Sequence, residues 1–183
     1  MRPRFAALGY VCADPVCADP AFDDGGGYSI SRIMPRYFTL QQAETLLPDV
    51  ASAIRGAILL KSEYDQSEAE WHGMFQRIAV MGGVRIDRAR ALEQKNRREK
   101  AAAALKQAVG KILEFGCVVK DLDVGLIDFP TLYQGQEVYL CWKLGEAGIQ
   151  FWHGVTEGFR GRKPIDARFL EQHRGGQRGE LPN

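Results

Sequence analysis

The strongest constraint on this chain is a run of residues with helical spacing that outlasts the needs of a small domain. Leu40, Ala43, Leu47, Val50, Ile54, Ala57, Lys61 and Tyr64 recur in alternating steps of three and four, which stacks them on one face of a helix. Thr39 followed three residues later by Gln42 is a capping box, so the helix opens near Leu40. Pro48 brings no amide donor and crowds the preceding turn; it predicts a short helix over 40–47, a kink, and a long helix from 48 to about 80. Gly82 and Gly83 supply a turn. A second long helix then runs from about 87, with Asp87 as its cap, to Phe115, where Gly116 is a left-handed terminator.

Folding the chain back about Gly82 and Gly83 sets Ile54 near Leu113, Ile58 near Val109, and Tyr64 near Ala102 and Ala103. That base is apolar. Further out, Glu68 and Glu70 come alongside Lys95, Arg97, Arg98 and Lys100, an ionic waist whose exposed pairs are each worth little. At the tip Trp71, Met74, Phe75, Ile78, Met81, Val84, Ile86 and Leu92 gather again, either as a satellite core or as a docking knob. The heptad-like face and the length of the hairpin, coiled-coil in character, point to a homo-oligomer or a protein partner bound through it. The basic run 95–100 lacks aromatic residues and has acids opposite it, so it reads as a solvated face and not a nucleic-acid site. With 24 Lys and Arg against 23 Asp and Glu, the net charge of +1 provides no field that would draw the chain onto nucleic acid or anionic lipid.

After Gly116 the period changes from helical to two. Cys117 to Val119, Leu126 to Phe129, Glu137 to Leu144 and Ile149 to His153 read as short strands around turns at Gly125, Gly135 and Gly145–Gly148. Val138, Leu140, Trp142 and Leu144 share one face, the natural cover for the helical base. The fold class is therefore α+β, a long antiparallel helical hairpin packed at its base on a small antiparallel sheet. A four-residue loop over 145–148 would set Trp142 opposite Phe151 and Leu140 opposite His153.

Any chemistry belongs to this sheet segment, because residues 117–159 hold six carboxylates against two lysines. Gathering those carboxylates costs electrostatic energy unless a cation or the arginines of the following loop offset it. Asp121, Asp128, Glu146 and His153 are the candidate metal ligands, a set suited to zinc, manganese or magnesium. Arg162, Trp152 and Glu157 are candidate ligand-binding residues, Arg162 toward an anion or toward Asp128 or Glu146. Asp121, Asp123 and Asp128 also suit turns and strand ends, and Cys141 suits a buried strand position. Two functional classes follow. One is a binding or assembly module using the hairpin; the other is a metal-dependent or acid-base enzyme, hydrolase-like, centred on 121–157.

Several separated motifs, in order, resemble the bacterial domain-of-unknown-function 2203 family. They are Arg36-Tyr37-Phe38-Thr39-Leu40 with Leu46-Leu47-Pro48, Val119-Lys120-Asp121, Gly125-Leu126-Ile127-Asp128-Phe129-Pro130, Val138-Tyr139-Leu140-Cys141-Trp142 with Gly145-Glu146, Phe151-Trp152-His153, and Gly158-Phe159-Arg160-Gly161-Arg162 with Pro164-Ile165. The likeness covers about residues 34–166. It implies a domain boundary at Met34 and a set of characteristic positions, and no activity.

The flanks differ in kind. Residues 11–15 and 16–20 repeat Val-Cys-Ala-Asp-Pro and are followed by Gly25, Gly26 and Gly27, so 1–33 is expected to be a disordered arm, with translation beginning at Met34. Duplication explains Cys12 and Cys17 better than a zinc knuckle does. Residues 34–168 form the single α+β domain, and 169–183, rich in glycine and arginine, a flexible tail. With no apolar run long enough to span a bilayer and no disulfide framework, the expected location is the cytoplasm.

Overall fold

In a computed structural model, residues 36–80 and 87–177 are described. The arm, Met34, the turn at Gly82 and Gly83, the tip residues Met81, Val84 and Ile86, and the tail from 178 lie outside them. The chain opens with β1 (Arg36–Tyr37) and enters α1 (Leu40–Val80). The capping box is formed: the Thr39 amide donates to Gln42 Oε1 at 3.0 Å and the Gln42 amide to Thr39 Oγ1 at 3.1 Å. α1 runs as one 41-residue helix with Pro48 inside it, where two segments were expected. One lost hydrogen bond is offset by burial of Val50, Ala51 and Ile54 in the turns that follow. α2 (Arg88–Glu114) begins at Asp87, whose side chain accepts from the Ala89 and Arg90 amides, and stops before Gly116, at φ +87°.

The two helices form an antiparallel pair, joined at the waist by Arg97–Glu70 at 3.1 Å and Arg98–Glu68 at 3.4 Å. Arg98 also lies over the Trp71 ring. At the base Lys61 bridges Asp65 at 2.6 Å and Asp123 at 2.7 Å, tying α1 to the turn between the next two strands.

Those strands are β2 (Val118–Asp121) and β3 (Leu126–Tyr133), followed by β4 (Gln136–Lys143), β5 (Phe151–Gly154) and β6 (Lys163–Pro164). They pair antiparallel in sequence order. The β3–β4 hairpin turns on Gln134 and Gly135, both at positive φ (53° and 76°), the backbone a two-residue turn needs to follow the strand twist. Ile127, Phe129, Val138, Leu140 and Trp142 project from one face into a core shared with Phe38, Ala43, Val50, Ile54, Ala57 and Ile112. Each such side chain, fully buried, contributes about 1.5–3 kcal/mol of transfer free energy.

The β4–β5 register corrects the sequence expectation by one residue. Cys141 faces Phe151, Leu140 faces Trp152, and Tyr139 faces His153. The cause lies in the connection. The Glu146 amide donates to the Lys143 carbonyl, its carboxylate accepts the Lys143 amide, and the Trp142 indole donates to its carbonyl. This folded-back turn, with Ile149 buried beyond it, delays the return strand to Phe151. A one-residue slip exchanges the faces of a strand. Trp152 therefore turns to the helical side and His153 to the other.

Over residues 169–177, expected in a flexible tail, the chain is part of the fold. α3 (Ala167–Gln172) buries Phe169, which stacks on Tyr133, Trp152 and His173. β7 (His173–Arg174) pairs with β3 and β8 (Gly176–Gln177) with β1. His173 Nε2 accepts the Leu40 amide at 3.0 Å, so the C-terminal segment satisfies an open donor at the start of α1. The aromatic and histidine residues among the glycines hold this segment in place.

Candidate functional site

The face of the sheet turned away from the helices carries a buried polar centre. It follows from strand alternation and two registers. Counting outward from the turn at Gln134 and Gly135, Asp128 on β3 lies opposite Cys141 on β4. The β4–β5 register then brings His153 beside them. One ligand-type atom from each of Asp128, Cys141 and His153 lies within 4.8 Å of the other two. All three residues are at most 2% exposed.

The hydrogen bonding of His153 is unusual. Nδ1 is 2.8 Å from the Gly154 carbonyl oxygen and Nε2 is 3.1 Å from Asp128 Oδ2. A carbonyl only accepts, so Nδ1 carries a hydrogen, and a proton held between imidazole and carboxylate bridges Nε2 and Oδ2. Burial is the largest influence on the imidazole and disfavours its charge. The hydrogen bonds to Asp128 and Gly154 and the Asp128 charge together outweigh it, and the His153 pKa is raised, with Lys120 opposing. Asp128 Oδ1 is buried and receives no hydrogen bond of ordinary geometry among the described residues. Lys120 Nζ stands 3.9 Å from Oδ2 and 4.5 Å from the centre of the Tyr139 ring. Burial, then Asp128, drives the Cys141 thiol far above its ordinary pKa. A thiol so held is a poor nucleophile.

The other sequence candidates lie elsewhere. Asp121 closes a local turn, its Oδ1 accepting the Asp123 and Val124 amides at 2.8 and 3.4 Å. Glu146 is bound to its own turn and to Arg162, whose Nη2 is 2.6 Å from Oε1. The Arg162 guanidinium covers the Phe151 ring at 4.1 Å and leaves a buried Nε without a hydrogen-bond partner among the described residues. Glu157 accepts the Gly154 amide at 2.7 Å and pairs with Lys163. Trp152 packs with Tyr133 and Phe169 under Lys163. Of the four metal candidates the fold thus gathers Asp128 and His153, and it adds Cys141. The sequence signal for Cys141 was the hairpin arithmetic about Gln134 and Gly135.

A cleft of about 530 Å³ lies on the helical side, lined by Glu44, Pro48, Arg55, Trp142, Glu146 and others, and by none of the three polar-centre residues. No helix among the described residues is long and apolar enough to cross a membrane.

In comparison with known proteins, residues 36–165 fit the family model described as "Uncharacterized conserved protein (DUF2203)". No curated protein and no solved structure matches.

Proposed function

The chain belongs to the DUF2203 family, and from that premise and its geometry we propose that it is a binding and assembly module whose helical hairpin associates with the hairpin of a second copy. The observation that carries this reading is how far the hairpin outruns its support. In α1 the buried positions end at Ser67, and in α2 they are Leu105 and Ile112 alone. Beyond them, among the described residues, each helix has little but the other to pack on, while Phe75 and Leu92 remain about half exposed, at 48% and 58%. Two helices joined by surface ion pairs are marginal in water, since such pairs contribute about 0–1 kcal/mol each. A second hairpin covering the apolar positions supplies the missing burial.

An enzymatic role for the sheet has less support, because the polar centre is sealed and the cleft does not reach it. Phe75→Glu combined with Leu92→Glu tests the assembly reading, as both side chains are exposed in the single chain. The double variant is expected to sediment as a monomer with unchanged far-ultraviolet circular dichroism. Identical sedimentation of variant and wild type would overturn the reading.

A further inference from the structure

We propose that Asp128, Cys141 and His153 bind one zinc ion in the outer face of the sheet. Three observations converge. The three donors come from adjacent strands whose registers fix them within 4.8 Å of one another. An ion 2.0–2.3 Å from each ligand, in tetrahedral geometry, needs those atoms about 3.3–3.8 Å apart, within reach of side-chain adjustment alone. The Nδ1–Gly154 hydrogen bond fixes the tautomer that presents the Nε2 lone pair inward, the support that metal-bound histidines receive. Asp128 Oδ1 is buried and receives no hydrogen bond of ordinary geometry among the described residues, while the Cys141 thiol faces the same carboxylate as a hydrogen-bonding neighbour, so acid, thiol and imidazole converge on one point.

With zinc bound, the Cys141 thiolate and the Asp128 carboxylate set two negative charges against the ion's two positive ones, so the ion adds no uncompensated charge to a buried site. The thiol proton and the proton between His153 and Asp128 leave to solvent as the metal bonds form. Nitrogen, sulfur and oxygen together favour zinc over magnesium or calcium, which take oxygen ligands. The protein supplies three ligands, leaving the fourth position to water or a small anion.

The test uses the full chain. Metal content is measured after purification in zinc-containing buffer, chelator-stripped protein is titrated with Co²⁺, and X-ray absorption at the zinc edge counts sulfur ligands in the wild type. The expected results are one zinc per chain, one sulfur per zinc, and a thiolate-to-cobalt band on binding one Co²⁺. The band survives Cys12→Ser with Cys17→Ser and disappears in Cys141→Ser, and His153→Gln weakens Co²⁺ binding at least tenfold. Absence of metal and of the band would overturn the site. So would a band that persists in Cys141→Ser, or a zinc shell with no sulfur or with two or more. The absorption measurement needs no variant, so the result stands even where a substitution at this buried position prevents folding.

Discussion

Among single residues, a few positions have no freedom in their local geometry. Gly125 sits at φ +63°, and a Cβ there would lie 2.6 Å from Leu144 Cβ and 3.2 Å from Ile54 Cγ2. Leu144 Cβ is fixed to the backbone, so strand and helix would have to part. Gly125→Ala is expected to cost about 1–3 kcal/mol, read as a lower denaturant midpoint; an unchanged midpoint would show that the turn is looser than described. Glu157 gives a pH signature. Its hydrogen bonds to Lys163, then to the Gly154 amide, hold its pKa below the ordinary carboxylate value. A depressed carboxylate stabilises the fold above its unfolded pKa, and that contribution is lost as pH falls through the folded value. Glu157→Gln should therefore melt below wild type at neutral pH and converge with it only as pH falls through the depressed folded value, below the ordinary carboxylate range. A gap that persists at low pH would assign the effect to shape and not to charge.

At the scale of elements, much was legible because local chemistry decides it. Thr39 with Gln42, Asp87 and Gly116 mark helix ends through hydrogen bonds and backbone angles that depend on neighbours in sequence, and all three appear where expected. The β4–β5 register was not legible in the same way. It depends on Glu146 folding back on Lys143 and Trp142, a tertiary arrangement that a count of loop residues does not contain. Because strand faces alternate, that one residue moved His153 from the core margin to Asp128 and Cys141. The segment after Phe169 was misjudged for a related reason: its glycines suggest freedom, yet Gly175 packs so close to the Phe38–Thr39 backbone that a Cβ would meet the Thr39 nitrogen at 2.3 Å. Truncation after Arg168 removes the buried Phe169 ring and the His173 contact to α1. It should cost about 3 kcal/mol or more, lowering the melting temperature by roughly 6–12 °C. A truncated protein that melts with the wild type would return this segment to the status of an appendage.

In the whole molecule, an α+β base carries a long helical hairpin whose apolar surface continues beyond it. At 1.5 Å per residue α1 extends about 60 Å and α2 about 40 Å, while the sheet's longest strands have eight residues. Molar mass tests the claim that the hairpin assembles the chain. Light scattering on the full chain, from about one to one hundred micromolar, is expected to give twice the 20.4 kDa of a single chain at the upper end, with dissociation on dilution set by the dimer's affinity. A mass of one chain throughout that range would contradict the claim.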